Sequence, residues 1–140
     1  MDITYVNKIS VEDYNMLHEA VGWGMCKVDR VKTALARSDY LIVAHSGEDA
    51  AGMARVMHDG LQALIMDVIV SPEYQGQGIG GHMMKCVMEY LYSVARDGDL
   101  FVSLMSALGK DDFYAKFGFE RRPNEARGPG MTQTLKSNSH

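Results

Sequence analysis

Four glycines fall within six residues, Gly76, Gly78, Gly80 and Gly81, in the stretch VIVSPEYQGQGIGGHMM from Val68 to Met84. A β-branched run precedes them and a segment of helical periodicity follows. A chain in this order must turn sharply from a strand into a helix. Glycine supplies positive φ there and lets a ligand approach the backbone closely. The N–H groups that open a helix have no intrahelical partner, and the helix dipole adds positive potential to them. Such a turn is suited to holding an anion, above all a phosphate.

The flanking pattern predicts the elements around it. Strands are expected over 2–7, 40–45, 51–57, 61–70, 100–105, 119–122 and 131–136. Helices are expected from Ser10 to about Val21, over 28–37, over 78–95 and from Asp111 to Phe117, closed by Gly118. In the long helix, Ile79, Met83, Cys86, Val87, Tyr90 and Val94 share one face. Tight turns at SGEDA and HDG make strands two to four antiparallel. The helix that follows allows a parallel crossover to strand five. The fold class is therefore α/β (α+β): a mixed, mostly antiparallel twisted sheet of about six or seven strands flanked by about four helices. Residues 1–140 are expected to form one domain, with 137–140 a frayed tail.

Composition narrows the function. With 46% apolar and 23% charged residues, this is an ordinary globular chain. A net charge of −4 and no basic stripe argue against a nucleic-acid partner. No apolar run is long enough for a membrane span. The first residues carry no secretory pattern, so a cytoplasmic location is expected. Cys26 and Cys86 have no metal-type spacing, the five histidines are scattered, and no metal is expected. The histidines are read as surface or packing residues, and most of the eleven methionines, such as Met53, Met66, Met83 and Met105, as core filling.

Three phosphate loops compete. Gly76-Gln77-Gly78-Ile79-Gly80-Gly81 matches G-x-G-x-x-G, the dinucleotide fingerprint. Its partner acid belongs at the end of the next strand, where Ser103 to Ser106 offers none. Three antiparallel strands before the loop also conflict with a doubly wound fold. A triphosphate loop needs Lys and Ser or Thr where His82 and Met83 stand. The pattern [QR]-x-x-G-x-[GA], met by Gln75-Gly76-Gln77-Gly78-Ile79-Gly80, fits best. Together with FYAKFGF at 113–119, AGMARVMHDG and MDVIVSPEYQGQGIG, it resembles the GNAT superfamily of acyl-CoA-dependent N-acetyltransferases. Parts of the chain are also similar to the arylalkylamine or serotonin-type branch.

The resemblance implies acetyl-CoA as cosubstrate. It implies a bulged fourth strand splayed from the fifth, with pantetheine on the backbone of Val68, Ile69 and Val70. The pyrophosphate is then expected over Gln75, Gly76, Gln77, Gly78, Ile79, Gly80 and Gly81. Tyr114 matches the family's general acid near the sulfur. A family asparagine upstream is missing from LMSALGKDD, so Ser106 is the candidate for its cofactor contact. Asp67, the only acid in LIMDVIV, reads as a general base whose carboxyl burial raises. Alternation puts it on the face of Ile65 and Ile69. The other readings are a structural acid bonded to backbone or to Arg55, or a water chain as base. Trp23, between two glycines, is either an aromatic wall for an amine or a packing anchor. Arg127 lies in a loop that covers the acceptor or merely connects strands. The implied reaction is acetyl transfer to a small-molecule primary amine. A non-catalytic acetyl-CoA sensor and a protein N-acetyltransferase are the alternatives. Homodimers are frequent in the family, though no residues here mark an interface.

Overall fold

The computed structural model describes residues 2–137. The frayed tail expected over 137–140 lies outside them except for Ser137, which is exposed. The chain divides into two compact units between Met105 and Ser106.

The first unit is one sheet with helices on both faces. Its strands are β1 (Ile3–Val6), β2 (Tyr40–Ser46), β3 (Asp49–His58), β4 (Gln62–Val70) and β5 (Phe101–Leu104), in spatial order β1-β2-β3-β4-β5. Neighbours are antiparallel except β4 and β5, which are parallel. The antiparallel run β2 to β4 and the parallel crossover to β5 are as the tight turns and the long helix led one to expect. At the β3–β4 turn, Asp59 Oδ1 accepts from the N–H groups of Leu61 and Gln62, and Gly60 has φ 92°.

Helices α1 (Val11–Ala20) and α2 (Val28–Ala36) cover one face. Ser10 caps α1 by accepting from the Asp13 N–H at 3.0 Å. Tyr14, Leu17 and Val31 meet Val43, Met53 and Ile69 in one buried cluster. Helix α3 (Ile79–Val94) packs against β2, β3 and β4 from the other side. Its buried stripe is Ile79, Met83, Met84, Val87 and Leu91. Cys86 and Tyr90, expected in that stripe, flank it half-buried, and Tyr90 stacks on Tyr40 and hydrogen-bonds His58 at 2.9 Å. Core filling holds for Met53 and Met83 but not for Met105, which is 60% exposed.

The second unit holds α4 (Asp111–Ala115), which is two residues shorter than expected. The strands expected at 119–122 and 131–136 do not form, so the sheet has five strands rather than six or seven. At the first of these the side chains are engaged elsewhere. Arg121 pairs with Asp111 and Asp112 on α4. The Arg122 Nε donates to the Gly128 carbonyl at 2.7 Å. The Asn124 side chain accepts from the N–H groups of Ala126 and Arg127, closing an Asx-type turn. These contacts occupy the side chains around 121–124, and over 131–136 the backbone is coil with Met131 and Leu135 exposed.

Candidate functional site

The glycine turn has the geometry its sequence requires. After the short 3-10 turn Pro72–Tyr74, Gly76 and Gly78 adopt φ of 80° and 81°. Gly78 is the N-cap of α3. Two of the four glycines thus need positive φ, while Gly81 continues as ordinary helix. Nothing lies within 4 Å of a Cβ built at Gly76, Gly78 or Gly81, so this surface is open. No side chain caps α3 and no acid stands in its first turn. The N–H groups of the first turn therefore present uncompensated positive potential. Ile79, only 2% exposed, anchors the helix start in the core. The Gln75 side chain donates to the Val70 carbonyl at 3.0 Å and ties the loop back to the end of β4.

Strand β4 supplies a second feature. Its pairing with β5 runs from Gln62↔Phe101 to Ile65↔Leu104, so Met66–Val70 extend five residues beyond it. On its other side it pairs with β3, and there the register slips. Arg55 faces Met66 while Met53 faces Ile69, so β4 carries one extra residue. This is a β-bulge. Asp67 sits in it at φ 53°, the one non-glycine residue with positive φ among those described. Asp tolerates that region better than most residues. The bulge breaks the expected alternation in part: adjacent Met66 and Asp67 both reach Arg55, so Asp67 leaves the face of Ile65, while it shares with Ile69 the face that Tyr14 covers. Val68, Ile69 and Val70 follow, with Ile69 buried in the core. Gly52 pairs with Val70, and a Cβ on it would come within 2.7 Å of the Ile69 carbonyl oxygen.

Asp67 is enclosed by donors. Arg55 Nε donates to Oδ2 at 2.8 Å and the Tyr14 hydroxyl to the same oxygen at 3.0 Å. His18 Nε2 lies 3.0 Å from Oδ1. Burial pushes the carboxyl up, but the hydrogen bonds from His18 and Arg55 and their charges outweigh it. The net position is below the ordinary 3.8. The expectation of a raised carboxyl is therefore corrected, and of the two partners that sequence left open, backbone or Arg55, it is Arg55 that holds the carboxylate. Burial, followed by the Asp67 charge, pushes the Tyr14 hydroxyl up, so it stays a donor. Sequence reasoning missed Tyr14 and His18 as members of this cluster. Their i, i+4 spacing on the buried face of α1 was the available signal.

The remaining candidates divide. Trp23 is 51% exposed, with its ring 5.7 Å from His18 in an edge arrangement. The ring is thus half exposed, with one edge on His18. Asn15 clamps the following loop, donating to the Cys26 carbonyl and accepting from its N–H. In the second unit, Tyr114 is buried beside Phe113 and Phe119, and burial raises its hydroxyl. Ser106 is exposed and donates to the Ala107 carbonyl at 2.8 Å. Arg127 is exposed, its N–H bound to the Asn124 side chain. No group of three or more metal-type ligands occurs among the described residues. No described helix is long and apolar enough to cross a membrane.

A family model described as an acetyltransferase (GNAT) domain matches residues 37–121. The chain belongs to the GNAT acetyltransferases. A GNAT relative from Porphyra purpurea, named uncharacterized N-acetyltransferase ycf52, is 30% identical over 132 residues, covering 90% of this chain and 74% of its own. Serotonin N-acetyltransferase 2, chloroplastic, of Oryza sativa is 30% identical over 126 residues, 86% of this chain and 61% of its own. Among solved structures, a Staphylococcus aureus protein of unknown function superposes with a TM-score of 0.85 at 27% identity. That match covers 96% of this chain and all of the other. A GNAT-family acetyltransferase from Streptococcus pneumoniae gives a TM-score of 0.74 at 27% identity, over 96% and 99% of the two chains. The likeness thus spans nearly the whole chain, and acetyltransferase activity is the function its relatives carry in name.

Proposed function

We propose that this GNAT protein transfers acetyl from acetyl-CoA to the primary amine of a small molecule. The observation that carries the reading is the pairing of an uncapped α3 N-terminus with a bulged β4 that outruns β5. The first suits a pyrophosphate and the second suits an extended amide-bearing arm. In this reading the pyrophosphate lies over Gln75 to Gly81. The pantetheine adds like a strand along Val68, Ile69 and Val70.

The amine nitrogen attacks the thioester carbonyl carbon, and a backbone N–H of β4 stabilises the oxyanion. The tetrahedral intermediate collapses, the C–S bond breaks and coenzyme A leaves. Tyr114 is the candidate general acid for the departing sulfur. Ordinary phenol and thiol values near 10 and 8.5 make full proton transfer uphill by about 2 kcal/mol, and burial of Tyr114 adds to that. Its part is therefore a hydrogen bond that strengthens as the thiolate forms. We assign the proton lost by the amine to water, because every donor around Asp67 favours keeping that carboxylate charged and occupied. Trp23 supplies an aromatic wall that suits a cationic or aromatic amine. The rice relative named for serotonin supports the same class. Ser106 and Arg127 remain candidates for a cofactor and an acceptor contact.

Calorimetric titration with acetyl-CoA tests the cofactor assignment. The reading expects binding at one site per chain, abolished in Gly78→Asp, which puts bulk and negative charge into the anion nest. Undiminished affinity in that variant would remove the loop from the site.

A further inference from the structure

We propose that His18 is a positioning residue, an imidazolium that locks the β4 bulge to the Trp23 loop. The proposal rests on the acetyl-transfer reading above for its kinetic consequence and on the geometry alone for its structural one.

Both ring nitrogens of His18 face oxygen acceptors. Nδ1 lies 2.8 Å from the Tyr14 carbonyl oxygen, and Nε2 lies 3.0 Å from Asp67 Oδ1. A neutral imidazole has one donor nitrogen and one lone-pair nitrogen. With the proton on Nε2, the Nδ1 lone pair would face a carbonyl oxygen. With the proton on Nδ1, the Nε2 lone pair would face a carboxylate that Arg55 keeps ionised. Only the imidazolium donates to both. The groups that face the ring are Tyr14 from α1, Asp67 from β4 and Trp23 from the loop after α1. Arg55 from β3 reaches the same carboxylate through its other oxygen. Each cation therefore has its own carboxylate oxygen. The side chains of His18 and Arg55 are only 7% and 9% exposed.

His18 is also where two parts of the site meet. Through Asp67 it holds the left-handed residue of the bulge. Its backbone carbonyl accepts from the Trp23 backbone N–H at 2.9 Å, and its ring meets the Trp23 ring edge-on at 5.7 Å. In the transfer reaction the bulge aims the thioester and Trp23 aims the amine. An error of about 1 Å between them costs about a hundredfold in rate.

Two measurements on the full chain test this. Long-range 1H–15N NMR at pH 7 should show protons on both His18 nitrogens and a Trp23 indole resonance that moves in His18→Gln. A neutral His18 tautomer, or an unmoved indole, overturns the proposal, and neither outcome depends on finding an acceptor. For any amine that the wild type acetylates, His18→Gln should raise the acceptor KM about tenfold and lower kcat by ten- to a hundredfold. Acetyl-CoA should still titrate at one site per chain with its affinity within about threefold, which counts the folded sites. Unchanged acceptor kinetics, or a fall in kcat that only tracks lost binding sites, contradicts a positioning role. Failure of wild-type acetyl-CoA binding would instead fault the transfer reading, and the NMR result would still stand.

Discussion

The Asp67→Asn variant separates a structural carboxylate from a catalytic one. Asn has nearly the same volume and tolerates the left-handed conformation that φ 53° demands, so the bulge and its packing are retained. What is removed is the charge that Arg55 and His18 share. Breaking a buried ion pair by neutralising one partner costs about 3–5 kcal/mol. The Asp67 side chain is 15% exposed, which places this case at the low end, about 3 kcal/mol. Unfolding entropy of about 2.1 cal/mol/K per residue gives about 0.3 kcal/mol/K for a chain of 140 residues. The expected fall in Tm is therefore about 10 °C. Urea unfolding followed by far-ultraviolet circular dichroism measures the loss directly, with an unchanged slope. A loss below about 1 kcal/mol would refute the claim that this carboxylate anchors two cations. The pH dependence carries the same sign. The folded carboxyl lies below its ordinary 3.8, so its stabilisation is fully present above about pH 5. It is lost as pH falls through 3.8 and below, and the variant should lack that part of the acid transition.

Tyr114→Phe should lower kcat by about ten- to a thousandfold with little change in acetyl-CoA affinity; weaker binding at normal turnover would contradict its role as acid. Gly52→Ala places a methyl 2.7 Å from the Ile69 carbonyl and 3.1 Å from Met83 Cε. It should cost about 1–3 kcal/mol in chemical denaturation and weaken acetyl-CoA binding through the displaced β4. Unaltered stability would mean that the β3–β4 contact is looser than described.

The sequence told most about elements whose pattern is long and whose neighbours follow directly. Helix α3 shows sixteen residues of periodicity after an anion-type turn, and β2 to β4 are joined by turns that fix their pairing. The segments at 119–122 and 131–136 show why short patterns mislead. Their alternation is compatible with a strand, but at the first Arg121 and Arg122 use their side chains on α4 and on the local turn, and at the second Met131 and Leu135 stay exposed with no partner strand among the described residues. The bulge at Asp67 was expected from resemblance, but its place was not. A single left-handed residue moves every later side chain to the opposite face, and nothing in LIMDVIV marks which residue it is. His18 was hidden for a related reason. Its two partners, Asp67 and the Tyr14 carbonyl, come together only after α1 packs on β4.

Free-thiol release from acetyl-CoA, followed against a panel of arylalkylamines, polyamines, amino sugars, amino acids and a lysine peptide, decides whether this protein acetylates a small amine. Amine-dependent release of coenzyme A is expected with one of the small amines, strongest among the aromatic or cationic ones that Trp23 suits. Acetyl-CoA binding with no release on any small amine would contradict it and leave a sensing module. Release on the lysine peptide alone would place the acceptor in a protein.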